Sequence, residues 1–225
     1  MHIVLLGASG QTGQQFLKQA LARGHSVTAL FRGATEQAEC PGLRVRVADP
    51  LDAAQVREAA EGADALVSCV GIRKANPADP WSALVSPLDL TQRCAQAVVT
   101  ALAGSTCRRV LMISSAGVGD SWPRLDPGLQ AVIERSSIAQ IFHDLGQMER
   151  VLARSALDTL AVRPVALVNG EATGQCGLVE RFESNSRITT GDVALWMLQA
   201  LERPHPFEQR AEMIGALPQP SAADC

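Results

Sequence analysis

The sequence predicts an α/β fold, a doubly wound parallel sheet with strand order 3-2-1-4-5-6 in a single domain over residues 1–217. Three observations carry this expectation. Strand-like and helix-like segments alternate along the chain, as in a parallel sheet whose crossovers are helices. Several of the strand segments are almost wholly apolar, as strands covered on both faces are. The first strand-to-helix junction holds three glycines at a spacing of three.

His2-Ile-Val-Leu-Leu6 reads as the first strand and Gln11 to Arg23 as the first helix. Between them lies Gly7-Ala-Ser9-Gly10-Gln11-Thr12-Gly13. In this setting Gly7 permits a tight turn, Gly10 leaves no Cβ in front of the backbone, and Gly13 lets helix and strand approach closely. Free N–H groups and the positive end of the helix then face an anion, the arrangement that holds a dinucleotide pyrophosphate in a Rossmann fold. Ser26–Phe31 is the second strand and Leu43–Val47 the third. Asp52 to Gly62 reads as a short helix begun by Asp49-Pro50, and Ala65–Val70 as a buried fourth strand. A longer helix is expected to open at Ser86 as N-cap with Pro87 at the first helical position and Asp89 at the third. It would turn Leu84, Leu88, Ala95, Val98 and Leu102 toward the core. Arg109–Ile113 is the fifth strand, His143–Ser155 a helix, and Thr159–Val162 the sixth strand. A late helix buries Val193, Ala194, Met197, Ala200 and Leu201, and a small substrate region completes the domain at its C-terminal end. Residues 218–225, rich in proline and small residues, are expected to be a disordered tail.

With 225 residues, 47% hydrophobic, the chain is long enough for one sizeable core. A net charge of −3 argues against a nucleic-acid surface. There is no apolar run of membrane-spanning length and no charged leader, so a cytoplasmic protein is expected, with a monomer as default. The six cysteines form no C-x-x-C pair, so neither metal nor disulfide is expected.

Ligands of such sheets sit beyond the carboxyl ends of the strands. The candidate cofactor residues are therefore Gly7, Ser9, Gly10, Gln11, Thr12, Gly13, Arg32, Asp49, Leu51, Val70, Gly71, Arg73, Ser114, Arg163 and Pro164. A site for NAD usually places an acid at the end of strand two to accept from the ribose hydroxyls. Here Phe31-Arg32-Gly33 stands there, with no acid before Glu36. A guanidinium at that point suits a 2′-phosphate, which favours NADP over NAD. Asp49 is placed to accept from an adenine amino group beside Leu51, or serves only as a helix-start signal.

The chain resembles the atypical short-chain dehydrogenase/reductase group of NAD(P)H-binding proteins, and within it the flavin reductase/biliverdin-IXβ reductase and NmrA-like types. The resemblance rests on Gly7–Gly13, Leu30-Phe-Arg32, Val70-Gly-Ile-Arg73, Ile113-Ser-Ser-Ala116, Met148-Glu-Arg-Val-Leu152, Arg163-Pro164, and Arg187-Ile188 with Asp192-Val-Ala194. It implies a substrate-side role for Ser115 and a nicotinamide-side position for Arg163-Pro164. One departure is decisive for mechanism. Most short-chain dehydrogenases use a Tyr-x-x-x-Lys pair, the lysine lowering the tyrosine pKa so that the phenol donates a proton, and this chain contains no tyrosine.

Three readings follow. The first is an NADP(H)-dependent reductase of a small conjugated acceptor, a flavin or quinone, that needs hydride and little acid catalysis. Ser114 and Ser115 would orient the acceptor, or merely form the turn after strand five, and Trp122 would stack on it or cap the core. The second makes His143, assisted by Asp144 or water, the proton donor, against its reading as a surface or packing residue. The third is a non-catalytic NADP(H)-sensing, partner-binding module. The glycine loop lacks the G-K-[ST] ending of phosphate-transfer enzymes.

Overall fold

The computed structural model describes residues 1–217, and the tail expected at 218–225 lies outside the described residues. An eight-stranded sheet has the order β3-β2-β1-β4-β5-β6-β10-β8. Its strands are β1 (His2–Leu6), β2 (Ser26–Phe31), β3 (Leu43–Val47), β4 (Ala65–Ser68), β5 (Arg109–Ile113), β6 (Asp158–Pro164), β8 (Cys176–Leu178) and β10 (Ala211–Ala216). The expected order 3-2-1-4-5-6 is therefore present, all parallel, and is extended by parallel β10 and antiparallel β8. A separate parallel pair joins β7 (Ala166–Val168) to β9 (Arg187–Thr189).

Helices cover both faces, as the alternation demands. Ile3, Leu5, Val27, Ala29, Val67, Leu111, Leu160 and Val162 pack with Phe16 and Leu17 of α1 (Gln11–Ala22) and Val193 and Met197 of α6 (Thr190–Leu201). On the other face Val4, Leu6, Leu66, Val110 and Met112 pack with α2 (Ala53–Ala59), α3 (Leu90–Ala101) and α5 (Ile138–Ala153). A 3-10 turn (Gly119–Arg124) and α4 (Pro127–Arg135) fill the connection from β5 to α5.

Two helix starts differ from expectation. α2 begins at Ala53, and its N-cap is Asp52, whose carboxylate accepts from Ala54 and Gln55 N–H. Asp49 instead closes a turn by accepting from Leu51 N–H at 2.9 Å. α3 begins at Leu90 rather than near Ser86, and Leu88 is left exposed. Ser86 is drawn away by the loop, its Oγ accepting from Arg73 N–H. The helix is capped from another element: buried Asp144 of α5 accepts from Thr91 N–H, Thr91 Oγ1 and Gln92 N–H at 2.6–3.0 Å. No local sequence rule contains that cap.

β10 was not among the expected strands, and its run Ala211–Ala216 carries the buried acid Glu212. The buried Glu212 carboxylate is satisfied by Trp196 Nε1 at 2.8 Å and by Arg203, both brought in by the fold.

Candidate active site

The register sets the site. Leu6 pairs with Leu30 on one side and Ser68 on the other, so Gly7, Arg32 and Val70 emerge side by side at neighbouring strand ends. Ser114 continues β5 beside β6, its N–H donating to Val162 O. From β2 to β5 the crevice crosses three interstrand gaps, about 14 Å.

The three glycines of the loop do different work. Gly7 has φ +76°, and a Cβ there would lie 2.8 Å from the Cys69 carbonyl carbon. A Cβ on Gly13 would lie 2.2 Å from Gly7 O, because α1 starts hard against the strand end. A Cβ on Gly10 would meet only Gly7 O, at 3.4 Å, with open space ahead of it. Gly10 thus leaves free the room a phosphate needs, while Gly7 and Gly13 shape the turn behind it. Gly10 N–H is held by Gly7 O, whereas Gln11, Thr12 and Gly13 N–H have no protein acceptor among the described residues. With no acid in the first turn of α1, this helix end presents bare donors and partial positive charge.

Arg32 is exposed at the end of β2 and forms no ion pair among the described residues. Gly71 faces open space and Arg73 is exposed beside it. The Cys69 thiol, under the loop, is pushed up to about 12 by burial and stays protonated. Ser9 and Gln11 are exposed at the mouth of the loop, and Thr12 is buried beneath it. Asp49 is exposed next to half-buried Leu51 at the end of β3. Pro164 is buried, its carbonyl accepting from Ala116 N–H, which places it beside the loop that follows β5.

Three expected residues are placed by contacts the sequence did not show. Arg163 points to the α5 side of β6, away from the α1 face. Its Nε and Nη2 donate to Glu149 at 2.9 and 2.6 Å and its Nη1 to Asp120 at 2.7 Å. Burial works against this guanidinium, and the two carboxylates outweigh it, raising its pKa above the ordinary value. With its donors committed to these two carboxylates, Arg163 braces β6 against α5 and the turn after β5. Ser114 Oγ donates to the same Glu149 at 2.6 Å, so its proton is committed too. Ser115 is half-buried, with only a 3.2 Å bond to Ala116 O, and is the freer hydroxyl of the pair. His143 is exposed on α5 and turned away from Asp144, which caps α3, so the expected His-Asp assistance is absent. Trp122 packs edge-to-face on Phe142, ring centroids 6.4 Å apart, as part of the core's rim.

Sequence reasoning missed Glu149 and Asp120 as organising residues. Glu149 stood in the Met148-Glu-Arg-Val-Leu152 motif without a partner, since its two partners come from β5 and β6. No group of residues suited to a metal exists among the described residues, and no described helix is long and apolar enough to cross a membrane.

A family model for NAD(P)H binding matches residues 7–204, from the first glycine to beyond α6. The chain belongs to this NAD(P)H-binding family. Solved structures agree on the fold. ChuY from Escherichia coli CFT073 is 25% identical, with 95% of this chain and 96% of that one covered at a TM-score of 0.72. ChuY from Escherichia coli O157:H7, an anaerobillin reductase, is 23% identical over the same shares, also at 0.72. A short-chain dehydrogenase/reductase from Veillonella parvula in complex with NADP is 17% identical, with 95% and 94% covered at 0.74. The residues of this NAD(P)H-binding protein fit the group its family takes: bare N–H donors in front of Gly10, and strand ends open on either side.

Proposed function

We propose that the protein is an NADP(H)-dependent reductase that delivers hydride to a small conjugated acceptor such as a flavin or quinone. The observation that carries the reading is the open cradle at Gly10 together with exposed Arg32 at the next strand end, which forms no ion pair among the described residues. Bound there, NADPH supplies the hydride. The N–H groups of Gln11, Thr12 and Gly13 would hold the pyrophosphate, and Arg32 would fork onto the 2′-phosphate, with no carboxylate at that strand end to favour NADH. Pro164 and the backbone after β5 would flank the nicotinamide end, and Ser115 would orient the acceptor. A conjugated acceptor suits a chain with no tyrosine, because the anion left by hydride addition is delocalised and takes its proton from water. The reductase likeness of ChuY and of a Streptococcus pneumoniae structure related to NADH-flavin reductases supports this direction at the level of fold.

The test is calorimetric titration with NADPH and NADH, followed by NADPH oxidation with flavin and quinone acceptors. Arg32→Glu is expected to weaken NADPH by about tenfold or more, the size of losing a charge-assisted contact, and to leave NADH nearly unchanged. Equal loss for both cofactors refutes the 2′-phosphate assignment. Tight NADPH binding without turnover on any conjugated acceptor replaces the reductase reading with that of an NADP(H)-sensing module.

A further inference from the structure

A second cavity lies apart from the cofactor crevice. It is a groove of about 610 Å³ between α5 and the outer strands β6 and β10, and neither the glycine loop, Arg32 nor Val70–Arg73 lines it. Small residues on both walls help to open it among larger lining side chains such as Phe142, Gln147 and Leu152. Gly146 and Ala153 on α5 stand opposite Ala161 on β6 and Ala211 on β10, leaving a slot between helix and sheet. From Thr159 to Arg163 it runs four strand steps, about 13 Å, and its volume falls in the range of small-molecule sites.

Its charge is unevenly placed. At the end near the carboxyl edge of the sheet, both lining carboxylates, Asp120 and Glu149, are committed to Arg163. Toward the opposite end stands Arg210, and Arg150 lines the groove from α5; neither forms an ion pair among the described residues. Arg210 is held in place: Nη1 donates to Leu157 O at 3.1 Å and to the buried Thr159 Oγ1 at 2.9 Å. A fixed guanidinium beside a small-residue slot is organised to receive an anion before any anion arrives.

We propose that this groove binds a flat organic carboxylate, its anionic group on Arg150 and Arg210 and its body in the slot formed by Gly146, Ala153, Ala161 and Ala211. The site is separate from the cofactor crevice and does not depend on the reductase reading.

The test is calorimetric titration of the whole protein with 2-naphthoate and, as an uncharged match, 2-naphthylmethanol. Naphthoate is expected to bind at a single saturable site, and the alcohol about tenfold more weakly or not at all, the cost of losing a charge-assisted contact. Arg150→Gln, at a side chain that makes no hydrogen bond or ion pair among the described residues, is expected to weaken naphthoate to a similar degree with the melting temperature unchanged. Arg210→Gln should do the same, and saturating NADPH should leave naphthoate affinity as it was. The proposal is overturned by any of four results: no saturable heat up to the solubility limit, equal binding of the alcohol, undiminished binding in Arg150→Gln, or competition with NADPH.

Discussion

Removing the Glu149 carboxylate should expose how much the brace behind the site contributes. Glu149 and Arg163 are 13% and 7% exposed at the side chain, so the pair is shielded from water. In Glu149→Ala the guanidinium keeps only Asp120, which is itself 78% exposed, and Ser114 Oγ loses its acceptor. Leaving one member of a buried pair without its partner costs about 3–5 kcal/mol, and the surviving Asp120 contact places this case near about 3 kcal/mol. For a domain of this size that is a fall of about 6–12 °C in melting temperature. Urea unfolding followed by circular dichroism measures the loss directly, and an unchanged m-value would show that the unfolded state is not the cause. Glu149→Gln keeps one acceptor and should lose less. NADPH affinity should survive in both variants, since β4 and β5 separate Glu149 and Arg163 from the glycine loop on β1. A loss below about 1 kcal/mol in Glu149→Ala would refute the reasoning, because the buried guanidinium would then be solvated by something other than Glu149.

Other outcomes follow from the same geometry. Gly10→Ala should fold with near-native stability yet lose NADPH affinity measured by calorimetry, whereas Gly13→Ala should lower the melting temperature, its Cβ falling 2.2 Å from Gly7 O; the reverse pattern would contradict the division of roles in the loop. Asp144→Asn should lose about 1.5–3 kcal/mol in urea unfolding, since an amide cannot accept from all three donors at the start of α3. The Arg163 hydrogen bond holds Asp120 below the ordinary carboxylate pKa, so its contribution is present above the unfolded value and lost as pH falls through the lower folded one. The stability gap between wild type and Asp120→Asn should therefore be constant at neutral pH and close below about pH 4. Alkylation by iodoacetamide at pH 8, mapped by mass spectrometry, should mark exposed Cys40 and spare Cys69 and Cys94, whose thiols burial raises to about 12; early labelling of Cys94 would contradict its packing.

Much of the molecule was legible in the chain because it is encoded locally. The run His2–Leu6, the glycines behind it and the period of α1 involve residues within a few turns of one another, so the strand, the turn and the bare helix end could be read before any contact was known. The order of the six parallel strands followed from the alternation of strands and helices, the pattern of a doubly wound sheet. The place of Arg32 just past the end of β2 was legible for the same reason, since it follows directly from the end of that strand.

Tertiary structure decided what depends on partners far apart in the chain. Asp144 caps a helix 53 residues away, Glu149 and Arg163 meet across α5 and β6, and Glu212 becomes tolerable inside β10 only because Trp196 and Arg203 reach it. Such pairings tie Ser114 and Arg163 to Glu149 and give Asp144 to α3 rather than to His143. A side chain's role in the sequence is its chemistry and its period. Its role in the fold is set by which opposite charge or donor the packing brings within about 3 Å, and that distance is a property of the whole chain.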